Sequence, residues 1–211
     1  MKKLLLLAAV SVIGLTASAQ TEKGKIVLGG GVFYSHTKDD PAYSSVNAFR
    51  ISPNAGYFVA DNLAVGLGVG YFNAKYVQDI NVGSDAGYKY IQKERHISIA
   101  PFVRYYKSVN DQFKFFGNLA VPFDFGKNKY SPTNNVGNFS TVKNHSVGIA
   151  FSPGFAYFPT PKLGIEFSVV GLTYDDVSVK YGNTENTDYH GKRFNVGANL
   201  ASPTIGIQFY L

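Results

Sequence analysis

The chain has 211 residues, no cysteine and a formal net charge of +6. This length suits one domain with a substantial core. The absence of cysteine excludes disulfides, thiolate metal sites, a cysteine nucleophile and a lipidated cysteine. The basic residues do not form a sequence cluster interleaved with aromatics, so the composition argues against a nucleic-acid-binding surface.

The first nineteen residues have the layout of a secretory signal peptide. Lys2 and Lys3 precede an apolar run, and Ala17-Ser18-Ala19 then places small residues before Gln20. We predict cleavage between Ala19 and Gln20, with Ala17 and Ala19 as the small residues of the site, which leaves residues 20–211 as a single domain and removes two positive charges. An uncleaved N-terminal anchor is the alternative, but the apolar segment is short and lacks a stop-transfer flank.

Eight stretches of alternating apolar and polar residues follow, and each is long enough to cross a bilayer as a tilted strand. We predict strands at 25–36, 46–58, 63–75, 94–107, 112–126, 144–158, 162–175 and 193–211. Three connections are tight, and four are long and polar, at 37–45, 77–93, 127–143 and 176–192. Strict alternation of short and long connections is typical of an eight-stranded antiparallel transmembrane barrel with short periplasmic turns and long extracellular loops.

A unit of about fifty residues repeats along this pattern. Each copy has a small residue, a proline and an alternating stretch that ends in aromatics, as expected of one supersecondary unit used several times. The four copies begin at Ser52-Pro53, Ala100-Pro101, Ser152-Pro153 and Ser202-Pro203. Because proline cannot donate to a strand ladder, we predict a bulge and a lost ladder bond at each of the four prolines.

Strand parity separates an apolar face from a face of small and polar residues. The second face has too few charges for a water-exposed exterior, so we expect the apolar face, including Phe123, Phe167 and Ile207, to meet lipid. A soluble lipocalin-like barrel with these side chains inside is the alternative. Aromatic residues at the turn-side strand ends predict an interfacial girdle: Tyr57, Phe58, Tyr105, Tyr106, Tyr157, Phe158, Phe209 and Tyr210.

The last strand carries Thr204, Gly206, Phe209 and Leu211. With this ending and the eight-strand pattern, the chain resembles the eight-stranded outer-membrane barrel families, the OmpA-like transmembrane barrel and the OmpX-like porin family. The resemblance implies that these four residues are the signal read by the barrel-assembly machinery, although many such barrels end on phenylalanine. It covers the barrel only, so we do not expect attachment to the cell wall.

Candidate site residues divide into a structural set and a catalytic set. We predict a charge network in the lumen between Arg104 and Glu166, with Asp124 and Lys114 as second choices. Some lipid A deacylases of this architecture use a His-x-Ser arrangement with a carboxylate, and the chain offers a counterpart at Glu94, His96 and Ser98. Strand parity turns His96 and Ser98 toward the lumen, away from substrate acyl chains, so we interpret them as lumen-lining residues.

The expected function is therefore a structural or surface-interaction role in the bacterial outer membrane. We expect no wide pore, because side chains fill the interior of eight strands, and no cofactor or metal. The expected partners are outer-membrane lipids, lipopolysaccharide and the assembly machinery, with the protein a monomer. An outer-leaflet lipid-modifying enzyme is the second hypothesis.

Overall fold

The computed structural model describes residues 20–38, 44–82, 85–132, 140–181, 188–197 and 204–211. The predicted signal peptide, including Ala17 and Ala19, and Pro203 of the fourth repeat lie outside these residues. Their predictions therefore stay predictions.

The described chain is entirely β-structure, as predicted. Its strand segments are β1 (Ile26–Lys38), β2 (Ser45–Ala60), β3 (Leu63–Val82), β4 (Asp85–Ser108), β5 (Phe113–Ala120), β6 (Phe123–Pro132), β7 (Ser140–Thr160), β8 (Leu163–Ser168), β9 (Leu172–Tyr181), β10 (Tyr189–Val196) and β11 (Thr204–Tyr210). Among these residues no helix is long and apolar enough to span a membrane.

The segments form a closed barrel of eight antiparallel strands. Three of the predicted strands are each divided into two segments, which accounts for the larger number of segments. β5 and β6 both lie between β4 and β7, β8 and β9 both pair with β7, and β10 and β11 divide the last strand. The barrel closes where β1 pairs with β11, from Val27 opposite Tyr210 to Gly31 opposite Gly206. Gly30 has φ +156°, and a Cβ on it would lie 2.5 Å from the carbonyl oxygen of Ser52, so a side chain there would be strained.

The predicted long loops are shorter in the structure than in the sequence pattern. Residues 77–93 are mostly strand, since β3 runs to Val82 and β4 begins at Asp85. The flanking strands also extend into the other three predicted loops, over a small part of 37–45 and over most of 127–143 and 176–192. The change in hydropathy predicted where the strands leave the apolar band. The strands continue to pair with one another beyond that point, where both faces of the sheet meet water.

The apolar face points outward, as predicted. Phe123 and Ile207 are exposed on the barrel wall, and Phe167 is half-buried there in a stack with Phe155 at 4.9 Å between ring centroids. This direction argues against the lipocalin-like alternative, which required the same side chains to fill the interior. Alternation breaks between β8 and β9, where three residues, 169–171, oppose the two residues Ser152 and Pro153. The outward row therefore changes from odd-numbered to even-numbered positions, which parity counting from the sequence did not anticipate.

The bulges predicted at the prolines are wrong at two positions. The registers of β2 with β1 and of β4 with β3 run through Pro53 and Pro101 without an offset. Pairing of β2 with β3 stops at Ser52 and Pro53 and resumes in the same register, so a gap in the ladder replaces a bulge. At Pro153 the extra residue belongs to the facing strand, as described above.

The predicted aromatic girdle is correct for only one member of each pair. Tyr57, Tyr105 and Phe209 are exposed on the outside, and Tyr157 is half-buried there against Phe113. Successive strand residues point to opposite faces, so the second aromatic of each pair turns inward and is buried. These inward residues, Phe58, Tyr106, Phe158 and Tyr210, join Val27 and Phe116 in the core at the turn end of the barrel.

Candidate functional site

A buried ion pair spans the lumen just above this aromatic core. Arg104 on β4 donates from Nη1 to Oε2 of Glu166 on β8 at 2.8 Å. Tyr106, two residues along β4 and therefore on the same face, donates to Oε1 of Glu166 at 3.0 Å. Tyr210 on β11 donates to the same oxygen at 2.8 Å. These four residues, Arg104, Tyr106, Glu166 and Tyr210, form what we call the lumenal plug.

The plug is tightly held by its surroundings. Asn118 accepts a hydrogen bond from Nε of Arg104 at 3.1 Å. The guanidinium also lies over the rings of Phe102 and Phe116, at 5.3 and 4.8 Å from their centroids, an arrangement that favours a cation near a π face. Glycines make room for these rings, because a Cβ on Gly66 would lie 2.5 Å from Phe102. The plug is therefore a layer of hydrogen-bonded and packed side chains across the lumen.

The N-terminal segment of the described chain adds a second layer beneath the plug. Thr21 is 1 % exposed and donates from Oγ1 to Oδ1 of Asn62 at 2.6 Å. Lys114 donates from Nζ to Oγ1 of Thr21 at 2.7 Å, and the backbone amide of Asn62 donates to the carbonyl of Thr21 at 2.7 Å. Asn62 has φ +64°, a conformation that asparagine tolerates well in a tight turn. Residues 20–24 thus lie across the turn end of the barrel.

Above the plug the lumen widens into a polar cavity, which we call the vestibule. Its volume is about 680 Å³, and its lining extends from Arg104, Glu166 and Gln208 toward the end of the barrel opposite the tight turns. Arg50 and Arg193 are also part of its wall. The lining reaches the plug at Arg104 and Glu166, so the vestibule is a space that can hold solvent or a small polar molecule.

The residues of the catalytic hypothesis lie in the vestibule wall. Glu94, His96 and Ser98 all line the cavity, as parity predicted. His96 Nε2 bonds Oε1 of Glu94 at 2.5 Å, and Tyr76 donates to Oε2 at 3.1 Å. Glu94 lies beyond the apolar band, and the hydrogen bond from His96 holds the pKa of its carboxyl below the ordinary value. None of the hydrogen bonds found in the described chain joins Ser98 to His96, so the base is directed at the carboxylate and not at a nucleophile.

The structure brings together some of the predicted network and separates the rest. Arg104 and Glu166 meet in the plug, whereas Asp124 lies in the vestibule and accepts from Ser146 at 3.3 Å. Lys114 lies below the plug with Thr21. Among the described residues no group of three or more histidine and acidic side chains could hold a metal ion.

Sequence reasoning missed the tyrosines of the plug and the role of Thr21. The position of Tyr106 and Tyr210 at strand ends predicts a place in the girdle, whereas alternation puts Tyr210 on the lumenal face with Gln208. No pattern in the sequence relates Thr21 to Lys114, which are 93 residues apart.

The proposed assembly signal lies on β11. Phe209 and Leu211 point to the exterior and are about half exposed. Gly206 faces Gly31 of β1, where a Cβ would come within 3.3 Å of the carbonyl oxygen of Gly30. The small residue thus allows close approach at the junction that closes the barrel.

Closed strands, an apolar exterior and a plugged polar lumen together define a transmembrane β-barrel. The chain matches the family described as "Outer membrane protein beta-barrel domain" over residues 5–201, and it belongs to that family. The resemblance to outer-membrane barrels drawn from the sequence is thereby confirmed, and the protein is an outer-membrane barrel.

Solved structures agree on the fold. The chain is similar to the outer membrane protein OprG from Pseudomonas aeruginosa, with 16% identity, a TM-score of 0.55 and coverage of 92% of this chain and 99% of that one. It is also similar to a major outer membrane protein from Thermus thermophilus, with 12% identity, a TM-score of 0.50 and coverage of 89% and 99%. A comparison with curated proteins finds no match.

Proposed function

We propose that this protein is a non-porin barrel that acts through its outer surface, as a structural or surface-interaction protein of the outer membrane. The observation that carries the proposal is the lumenal plug. Arg104 and Glu166 join opposite parts of the wall, and Tyr106 and Tyr210 occupy the space between them. With residues 20–24 below, two bonded layers lie in the path of a solute.

The outer half of the barrel supports a surface role. β3 and β4 are 20 and 24 residues long, about twice the number needed to cross a bilayer. On β3, Tyr71 is the last exposed large apolar residue among those whose side chains are described, so about eleven further residues of that strand extend past the band of exposed apolar side chains, roughly 35 Å along the strand. Such extensions place polar side chains at the cell surface, where other molecules are met.

The proposal also covers the export and assembly of the barrel. Residues 1–19 direct export and are removed before Gln20, and the strand with Thr204, Gly206, Phe209 and Leu211 is read by the barrel-assembly machinery. The protein functions as a monomer, because the barrel buries its own strand edges at the turn end and needs no partner to close. The hydrogen bond between His96 and Glu94 does not support the enzymatic hypothesis, because it does not direct the histidine at a nucleophile.

Ion conductance in planar bilayers tests the proposal. We expect the refolded barrel to give no stable conductance steps, with a known porin as the positive control for insertion. Folding of the same preparation is checked by heat-modifiable gel mobility. A steady ohmic conductance from the correctly folded form would overturn the proposal, because it would require a continuous aqueous path past Arg104 and Glu166.

A further inference from the structure

Seven basic side chains lie next to one another on the outside of the barrel, above the apolar band. They occupy two adjacent rows across β3, β4, β6, β7 and β9. The ladder pairs Arg95 with Lys127, Lys127 with Lys143, and Lys143 with Lys180 in the lower row, and it pairs Lys75 with Lys93 and Lys93 with Lys129 in the upper row. We call these seven residues the outer basic belt: Lys75, Lys93, Arg95, Lys127, Lys129, Lys143 and Lys180.

All seven belt residues are exposed, and they share the outward face with the apolar residues below them. Arg95 continues the row of Ile97 and Ile99 on β4, and Lys127 continues the row of Phe123 and Phe125 on β6. The belt is therefore part of the wall that faces the membrane and its surface, and it does not line the vestibule.

No acidic residue is interleaved with the belt in the described ladders. The uncharged members of the two rows are Asn73, opposite Arg95, and Thr141, opposite Lys129. Glu94 lies between Lys93 and Arg95 in sequence, but it faces the lumen and bonds His96. Like charges directly opposite each other on neighbouring strands are destabilising, so the five like-charged pairs, three in the lower row and two in the upper row, disfavour this fold unless anions neutralise them. The arrangement indicates that anions neutralise the belt in its working environment.

The depth of the belt identifies where those anions come from. Arg95 and Lys127 are each two residues beyond the last exposed apolar residue of their rows, Ile97 and Phe125. Two residues span about 6.7 Å along a strand, which is about 5 Å along the membrane normal at the usual strand tilt. Polar head groups occupy roughly the first 5 to 7 Å outside the hydrocarbon core. Arg95 and Lys127 therefore lie at head-group height, and Lys143 and Lys180, which are four and six residues beyond Val147 and Tyr174, lie progressively farther out.

We propose that the outer basic belt binds phosphate-bearing lipid head groups of the outer leaflet. The strand positions of the belt residues are about 5 Å apart across strands and about 7 Å apart between rows, so their side chains form a two-dimensional array of positive charge that can meet closely packed phosphates. The belt covers one side of the barrel, from β3 to β9, so bound lipids line that side only. This inference deepens the proposed surface role and rests on it.

The test measures lipid selectivity in bilayers that contain the folded full-length barrel. Electron spin resonance of spin-labelled phosphatidic acid and phosphatidylcholine gives the association constant of each lipid at the protein surface. We expect phosphatidic acid to be preferred about five-fold at low ionic strength, and we expect 1 M salt to abolish most of that preference by screening.

Matched variants assign the preference to the belt. The variant Arg95→Gln/Lys127→Gln/Lys143→Gln removes three belt charges and is expected to lose most of the selectivity. The control Lys38→Gln/Lys89→Gln/Lys192→Gln removes three charges at the same end of the barrel, outside the belt, and is expected to retain it. A charge-retaining variant, Arg95→Lys/Lys127→Arg/Lys143→Arg, is expected to behave as the parent, and gel mobility confirms folding of each.

Three results would overturn the proposal. One is equal association of the two lipids with the parent protein, and another is equal loss of selectivity in the belt and control variants. The third is belt-dependent binding of heparin by barrels in pure phosphatidylcholine with no lipid selectivity, which would assign the belt to an external polyanion. All three leave the conductance result unchanged, so failure here is distinguishable from failure of the non-porin proposal.

Discussion

Removing one member of the plug's ion pair should destabilise the barrel far more than removing both. In Glu166→Leu, the guanidinium of Arg104 remains buried, with its side chain 11% exposed and the carboxylate of Glu166 gone. Breaking a buried pair in this way costs about 3–5 kcal/mol, because an uncompensated charge is left in a low-dielectric site. The tyrosine hydroxyls lose less, since Tyr106 and Tyr210 lie 3.0 Å apart and can bond each other.

The double variant Arg104→Met/Glu166→Leu removes both charges and roughly conserves volume. Replacement of a buried pair by apolar residues is often neutral or stabilising, so we expect it to be more stable than either single variant. The resulting coupling energy between the two positions is about 3 kcal/mol or more. The free energy of unfolding is measured by urea titration in phospholipid vesicles, with heat-modifiable gel mobility as the readout and linear extrapolation to zero denaturant. Additive single effects, or a cost below about 1 kcal/mol for Glu166→Leu, would refute the account of the plug given above.

Three further perturbations test separate parts of the structure with the same unfolding assay. Lys114→Met removes the bond to Thr21 and should cost about 1.5–3 kcal/mol, with faster proteolysis of residues 20–24; unchanged proteolysis would argue against a second layer below the plug. Gly66→Ala should destabilise strongly because its Cβ would lie 2.3 Å from a backbone carbonyl oxygen, whereas Gly68→Ala, with its nearest neighbour at 3.7 Å, should be tolerated; equal effects would contradict the packing described. Leu119→Arg, on the exposed apolar wall, should cost about 2–4 kcal/mol in bilayers, and a negligible cost would place that face away from lipid.

Alternation was sufficient to predict the wall of the barrel. Rows such as Ile97 and Ile99 repeat every two residues, and this period determines which side chains share a face wherever no extra residue intervenes. The prediction of one continuous outward row through 162–175 failed at 169–171, because an added residue opposite Pro153 reverses parity and leaves no local sign in hydropathy. The prolines likewise did not reveal whether the ladder would bulge or only lose a bond.

The sequence by itself determined the architecture: eight membrane-crossing strands, an apolar exterior and the set of polar residues that must face inward. These follow from a local period and from the need to satisfy every backbone group in lipid. Only the tertiary structure decided which distant residues meet, since registers between neighbouring strands and the curvature of the closed barrel set those distances. Arg104 and Glu166 are 62 residues apart and Thr21 and Lys114 are 93 apart. The basic belt was equally invisible in a chain whose basic residues are dispersed, because closure of the ladder brings them side by side.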